Sequence, residues 1–269
     1  MQGRAIGVRG CRALAVCLVF VLGCGSFLGE GSLSDQDLRR ALMHRDRASL
    51  KLGQAQLEMA IREYNRSIAL NPYDPEAHFG LGEALRLKGL HDEAEASVRE
   101  AIRLDPEHHD ARLNLAVLHL TAERWDLAIQ ETTRLLEDPT FLNPARALVN
   151  RGWAYYSKGE LDRAESDLRD ALDVDSAIYQ THLNLGIVLY DQGEVAESLK
   201  ELERVLSILD GYGPGVLPSV EAETRFRIAQ ARVKLGQREQ AVEQLRLASD
   251  RGGRGAWGTK AREYLSLLE

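Results

Sequence analysis

The chain has 269 residues, 44% of them hydrophobic, which is enough apolar surface for a globular core and excludes a disordered or collagen-like polymer. Lys and Arg number 34 against 41 Asp and Glu, and the formal charge is -7. The basic excess typical of nucleic-acid-binding proteins is therefore missing, and nucleic acid is not an expected partner. Aromatic residues make up only 6%, which favours helices over a β-sandwich or β-barrel.

The first 24 residues are unlike the rest of the chain. They contain all three cysteines: Cys11, Cys17 and Cys24. The remainder can therefore form neither a disulfide framework nor a cysteine zinc site. Three arginines are followed by an apolar stretch of 11 residues, 13–23, which is too short to span a bilayer as a helix. The pattern predicts a signal peptide over residues 1–23.

The end of this segment resembles the lipobox of bacterial lipoproteins. The four residues are Val21-Leu22-Gly23-Cys24, and the resemblance implies that Cys24 is acylated and becomes the first residue of the mature protein. Gly25 stands where an inner-membrane retention signal has Asp, so the resemblance implies a lipid anchor in the outer membrane, with the body facing the periplasm. Residues 24–34 would then be the lipidated cysteine and a tether. The alternative is an ordinary signal peptide in which Cys24 is one more apolar residue.

From residue 34 onward the chain has the signals of repeated helices. Ser34 and Asp37 have the spacing of a capping box, which predicts the start of a first helix. Asn71-Pro72 and Asp105-Pro106 stand 34 residues apart, and each closes an amphipathic run. Proline ends such a run because it cannot continue a helix. A period of 34 residues predicts stacked helical hairpins.

The unit 75–108 shows the pattern most clearly, with Leu81-Gly82 at its seventh and eighth positions and Ala94 at its twentieth. This resembles the tetratricopeptide repeat, in which small residues at positions eight and twenty let two helices approach closely. The resemblance implies an all-α fold, a right-handed α-solenoid of about six helical hairpins over residues 35–269. The frame gives six repeats, the first poorly matched, and a capping helix: 41–74, 75–108, 109–144, 145–178, 179–221, 222–255 and 256–269.

No catalytic motif is found in this body. There is no Gly-x-Ser-x-Gly, no His-Glu-x-x-His and no phosphate-binding loop, so the sequence predicts a protein that is not an enzyme and has no cofactor, metal or small-molecule substrate. His78 and His182 share the fourth repeat position, and neither has a second ligand at i+4. We interpret them as packing residues rather than metal ligands.

Stacked hairpins expose the first helix of each repeat on one continuous surface. In the family this surface uses positions two, five, six, nine, twelve and thirteen. Position six holds asparagine in three consecutive repeats, and the surrounding positions form an apolar stripe with aromatic rings, a composition typical of binding hot spots. The expected protein-binding groove comprises Phe79, Leu113, Asn114, Val117, Leu120, Val149, Asn150, Trp153, Tyr156, Leu183, Asn184, Ile187 and Tyr190. Two alternatives stay open: the asparagines are simply family consensus, and the residues at position twelve are buried between helices.

Insertions break the period at the third junction, residues 137–144, and at the fifth, residues 209–218. They are either functional or merely tolerated loops. The first insertion runs into Phe141-x-x-Pro144-x-Arg146, which is similar to the corresponding junction in type IV pilus pilotins. Those are six-repeat outer-membrane lipoproteins that help the secretin pore to assemble. The long glycine- and proline-rich fifth junction departs from that family.

The sequence thus predicts a non-enzymatic, outer-membrane-anchored scaffold that binds a protein or peptide partner. The pilotin resemblance implies a secretin subunit as that partner and a role in type IV pilus biogenesis. Two alternatives remain open: a lipoprotein adaptor for peptidoglycan hydrolases or other periplasmic proteins, and an enzyme or enzyme subunit.

Overall fold

The computed structural model describes residues 33–213 and 215–268. Within these residues all regular structure is helical, which confirms the predicted all-α class. The predicted signal peptide and Cys24 lie outside the described residues. The helices are α1 (Asp35–Gly53), α2 (Leu57–Leu70), α3 (Pro75–Leu87), α4 (His91–Leu104), α5 (His109–Thr121), α6 (Trp125–Glu137), α7 (Pro144–Ser157), α8 (Leu161–Val174), α9 (Tyr179–Gln192), α10 (Val195–Tyr212), α11 (Pro218–Lys234), α12 (Arg238–Gly252) and α13 (Ala256–Leu268).

Consecutive helices pair into six hairpins, from α1/α2 to α11/α12, and each hairpin packs on the next. The odd-numbered helices α1 to α11 are called the first helices below, and their partners the second helices. Helix α13 packs on α11 and α12 and closes the stack, as the predicted capping helix should. The solenoid of stacked hairpins is therefore confirmed, with its apolar core between the helices.

Small residues hold the two helices of a hairpin close together. A Cβ added to Gly82 would lie 2.5 Å from Cγ2 of Val98, and one added to Gly186 would lie 2.8 Å from Cγ of Leu202. The facing Ala94, at position twenty, is fully buried. Only residues without bulk fit at this distance, so the close approach expected from positions eight and twenty is confirmed.

A hydrogen bond recurs between the two helices of a hairpin, from the fourth position of the repeat to a carboxylate 19 residues later. The bridge occurs at 2.7 to 2.8 Å in three hairpins: His44 with Glu63, Arg112 with Glu131, and His182 with Glu201. The other ring nitrogen of His182 lies 3.1 Å from the carbonyl of Ser176, in the preceding junction, and the side chain is 6% exposed. His182 is thus a buried packing residue, as predicted, and both of its nitrogens are bonded.

The fifth junction is shorter than the sequence suggests. Helix α10 continues to Tyr212 and α11 begins at Pro218, so residues 209–212 and Pro218 are helical rather than parts of a loop. The insertion lengthens the two flanking helices because its apolar residues pack in the stack: Leu209 is buried, and Leu217 packs against the same cluster.

Candidate functional site

Three cavities lie in a row along the first helices, with volumes of about 650, 390 and 640 Å³. Neighbouring cavities share lining residues. Phe79 and Glu83 line the first and second cavities, and Val117 and Arg146 line the second and third. The row is called the groove below, and it runs from α1 to the start of α9.

The first cavity lies between α1 and α3, and its walls are fixed by polar contacts. Arg45 on α1 donates to the carboxylate of Asp74 at 3.2 Å, and Asp74 caps α3 by accepting the backbone N–H of Glu76 at 3.1 Å. The hydroxyls of Ser49 and Tyr64 are 3.1 Å apart. These contacts hold α1 against the next hairpin, so the first cavity is preformed.

The central cavity contains two buried polar atoms without a partner. Asn114 on α5 is 9% exposed, and its Oδ1 accepts no hydrogen bond from the described part of the chain. The Nε of Arg86 on α3 is buried and equally without a partner there. Buried polar atoms are nearly always hydrogen-bonded, so both atoms have an unsatisfied hydrogen-bonding capacity beside this cavity. Glu83 and Asp110 add acidic side chains to the same cavity.

The third cavity lies between α7, the start of α9 and two junctions. Val117 and Val149 give it an apolar floor, while the amides of Asn150 and Gln180 line it with groups that both donate and accept hydrogen bonds. Leu142, in the third junction, stands at its rim with 87% of its surface exposed. This combination of apolar surface and paired amides suits an extended polypeptide.

The third junction is held in place at the edge of this cavity. Thr140 donates both its hydroxyl, at 2.7 Å, and its backbone N–H, at 2.8 Å, to Oδ1 of Asp138. These bonds, with the His109 ring nitrogen 2.8 Å from Oδ2, lower the pKa of Asp138 to about 2. The ring of His109 also packs on buried Phe141, with centroids 5.5 Å apart. The insertion is therefore an ordered wall of the groove.

The C-terminal half of the predicted groove is filled by packing. Leu183 and Ile187 are buried, 8% and 4% exposed, and Trp153 and Tyr156 pack against them. The Tyr156 hydroxyl donates to Asp191 at 2.8 Å, and burial together with that carboxylate raises its pKa to about 12. Leu183 and Ile187 therefore belong to the core between α7 and α9. Trp153 and Tyr156 are only partly buried against them, and their contact with a ligand stays a prediction.

The remaining predicted residues divide between the groove and the core. Leu113 and Val149 line cavities, but they are only 2% and 8% exposed, so they act as floor and core rather than as open contact surface. Leu120, Asn184 and Tyr190 line none of the three cavities. The ring of Tyr190 is instead covered by the ammonium of Lys234, 3.6 Å from its centroid. Four predicted residues line the groove with polar or accessible surface: Phe79, Asn114, Val117 and Asn150.

None of the residues predicted for the groove is charged, but charged side chains line it. Arg45, Glu83, Asp110 and Arg146 line it, and all four occupy the surface positions two, five or nine of their repeats. The positional rule alone identifies them, whereas an apolar-stripe criterion leaves them out. Together they make the N-terminal half of the groove polar and mixed in charge.

Two other kinds of feature bear on the function of the described residues: metal-binding groups and membrane-spanning helices. They hold no group of three or more His, Cys, Asp or Glu side chains placed to bind a metal. None of the described helices is long and apolar enough to cross a bilayer.

Comparison with known proteins identifies the repeat. A family model for the tetratricopeptide repeat matches residues 45–106, 89–140 and 144–214. A TPR repeat-containing protein of Methanocaldococcus jannaschii is 28% identical over 163 residues, which is 57% of this chain and 28% of that protein. The chain therefore matches little more than a quarter of the length of that relative.

Two solved structures share the fold over nearly their whole length. PilW, described as a widely conserved type IV pilus biogenesis factor, superposes with a TM-score of 0.72 at 17% identity, covering 82% of this chain and 97% of PilW. PilF of Pseudomonas aeruginosa superposes with a TM-score of 0.69 at 13% identity, covering 85% of this chain and 99% of PilF. At these identities the similarity is one of fold.

Proposed function

The chain belongs to the tetratricopeptide-repeat family, and from that premise we propose that its groove binds an extended segment of a partner protein without covalent chemistry. One observation carries the proposal: the central cavity contains buried polar atoms, Oδ1 of Asn114 and Nε of Arg86, that no described residue satisfies. Leaving such atoms unpaired costs about 1–3 kcal/mol each. A polypeptide backbone supplies both the donor and the acceptor that they need.

The rest of the groove fits the same ligand. Asn114 and Asn150 lie in adjacent cavities on successive first helices, and each amide can bind one peptide group of an extended chain. Phe79, Val117 and Val149 provide apolar contact between them. Specificity would come from the charged lining, because acidic and basic side chains are mixed there and disfavour partners with a mismatched charge pattern.

We propose further that the protein is an outer-membrane lipoprotein anchored by acylated Cys24 and facing the periplasm. Its lipobox-like residues Val21 to Cys24 support the anchor. An anchored scaffold would concentrate a bound subunit at the membrane, which raises its effective concentration without any new contact.

For the partner, we propose a secretin subunit, in type IV pilus biogenesis. The full-length fold similarity to PilW and PilF and the ordered third junction, which carries the pilotin-like residues Phe141 and Pro144, support this choice. The alternative function, an adaptor for peptidoglycan hydrolases, would use the same fold and groove. The two functions differ in the partner that co-purifies with the protein.

Two experiments test the proposal. The acylated protein is purified from host membranes, and the proteins retained with it are identified: a secretin supports the pilus role, whereas hydrolases without a secretin support the adaptor. The retained partner is then titrated against Asn114→Ala/Asn150→Ala, which we expect to bind about tenfold more weakly or worse because two amide hydrogen bonds are lost.

The matched control is Asn184→Ala, which removes the same amide at the same repeat position, outside the groove. It should bind like the parent protein, and circular dichroism should show equal helicity for all three proteins. Equal affinities for the parent protein and the double variant would refute the groove assignment, as would an equal loss in the Asn184 control.

A further inference from the structure

The first hairpin has an exposed face at the N-terminal end of the described stack. A cavity of about 410 Å³ opens between the outer sides of α1 and α2. It is called the end face below and is lined by Arg47, Leu50, Lys51, Met59, Arg62, Glu63 and Arg66. Leu50 and Met59 are 60% and 45% exposed, so the face combines cations with uncovered apolar surface.

The position of the end face in the repeat explains why it is uncovered. Residues 47, 50 and 51 occupy the repeat positions that hold Leu81, Ala84 and Leu85 in the next repeat, where all three are buried in the stack. No described helix precedes α1, so residues 47, 50 and 51 are not covered in the same way. Two of the three positions carry a cation instead of a buried apolar residue, which is the chemistry of a surface that meets water or an anionic partner.

Most cations of the end face are not paired with an acid in the described part of the chain. Three of them have no acidic partner among the described residues: Arg47, Lys51 and Arg62. The acids close to them are already neutralised within the structure. Glu63 lies 2.7 Å from the His44 ring and 2.6 Å from Arg66, and Glu58 pairs with Lys88 of the next hairpin at 2.9 Å.

We propose that the end face docks on the anionic lipid surface of the membrane to which the protein is anchored. Basic side chains around exposed leucine and methionine are the composition that binds an anionic lipid interface. The inference rests on the proposed anchor, since only ten residues separate Cys24 from Asp35. Such a segment reaches at most about 35 Å, which keeps the first hairpin near the bilayer.

Charge over the whole chain favours this orientation. Acidic residues outnumber basic ones, 41 to 34, so an anionic surface repels the protein as a whole and attracts it through the end face. The first cavity of the groove is on the same hairpin, lined by Arg45 and Ser49. Docking would therefore present the groove from a fixed position at the membrane rather than from a freely swinging tether.

Methionine oxidation provides a built-in probe. The chain has three methionines, and two of them, Met43 and Met59, are exposed on the first hairpin at 42% and 45%. The full acylated protein is reconstituted into phosphatidylcholine vesicles with and without roughly 30% phosphatidylglycerol. Flotation reports the anchor, and the rate of sulfoxide formation by peroxide, followed by mass spectrometry, reports burial of Met59.

We expect Met59 to oxidise about fivefold more slowly on the anionic vesicles than on the neutral ones, because docking shields its sulfur from peroxide. The protection should disappear in high salt and in Arg47→Gln/Lys51→Gln/Arg62→Gln. It should persist in Lys200→Gln/Arg204→Gln/Arg254→Gln, which removes three exposed cations elsewhere.

The outcomes separate the two proposals. Failure to float refutes the anchor. Flotation with equal Met59 rates on both vesicles refutes docking and leaves the anchor standing. Slow oxidation on neutral vesicles that depends on protein concentration would mean that a second copy of the chain covers the face, and this too overturns the lipid assignment.

Discussion

Replacing His119 by leucine should stabilise the protein, and increasingly so at low pH. His119 is 1% exposed in the last turn of α5, and its Nδ1 has no hydrogen-bond partner among the described residues. The same repeat position holds Leu85 and Leu189 in two other hairpins, 8% and 0% exposed. The stack therefore accommodates leucine there without rearrangement.

The magnitude follows from the unpaired nitrogen. An unsatisfied buried polar atom costs about 1–3 kcal/mol, so the variant should gain about 1–2 kcal/mol near pH 7. For a domain of this size that is a rise in Tm of about 2–8 °C. Burial, aided by the charge of Arg124, also holds the pKa of His119 below its ordinary 6.5.

The sign of the pH dependence follows from that lowered pKa. As pH falls through 6.5 the unfolded chain takes up a proton on this residue before the folded chain does, so acid shifts the equilibrium towards the unfolded state. The parent protein should lose stability below pH 6.5 through His119, and the leucine variant should not. The gap between the two Tm values therefore widens from pH 7.5 to pH 5.5.

The assay is calorimetry of the parent protein and His119→Leu at pH 7.5, 6.5 and 5.5 at constant ionic strength. His91→Leu is the matched control, because His91 lies exposed at the start of α4 and its replacement removes no buried ring. The reasoning is wrong if His119→Leu melts below the parent at pH 7.5, or if the gap between them stays constant across the three pH values.

Three further predictions follow from packing and from the proposed anchor. Gly82→Ala places a Cβ 2.5 Å from Val98 and should lower the free energy of unfolding by about 1–3 kcal/mol. In urea titrations, the double variant Gly82→Ala/Val98→Ala should lose less stability than the sum of the losses of the two single variants. Arg151→Leu leaves the Asp167 carboxylate, 7% exposed, without its two hydrogen bonds of 2.7 and 2.8 Å. We expect the free energy of unfolding to fall by about 3–5 kcal/mol and to be largely restored in Arg151→Leu/Asp167→Leu. A double variant whose stability loss equals the sum of the two single losses would contradict this. Cys24→Ala should be absent from the outer-membrane fraction on gradient separation, and normal fractionation would contradict the anchor.

The period of the sequence made the hairpins predictable, because the information is local. Gly82 and Ala94 must be small wherever two helices touch, and Pro72 and Pro106 follow the last turns of α2 and α4. Helix ends were less predictable. Helix α10 runs on through Tyr212 because packing of the flanking residues outweighs the local preference of Gly211 for a turn.

The bridges from the fourth repeat position could also have been read from the sequence. His44 and Glu63, Arg112 and Glu131, and His182 and Glu201 are each 19 residues apart, and the pairing of a basic with an acidic residue repeats at that spacing. Taken singly, His182 predicts a buried packing residue, but its carboxylate partner Glu201 is not apparent from that position alone. The charge pattern becomes visible only when two positions of the repeat are compared together.

The repeat positions do not predict where the groove is open. They indicate which side chains face the neighbouring first helix, but not whether a cavity remains between the two helices. Position nine decides this. It is Glu83 and Val117 where the cavities lie, and Trp153 and Ile187 where they stop. A tryptophan fills the gap that a valine leaves open, so the aromatic residues that suggested a binding surface are the ones that close it. The proposed binding groove therefore lies in the half of the stack where Asn114 and Asn150 line cavities that no large side chain fills.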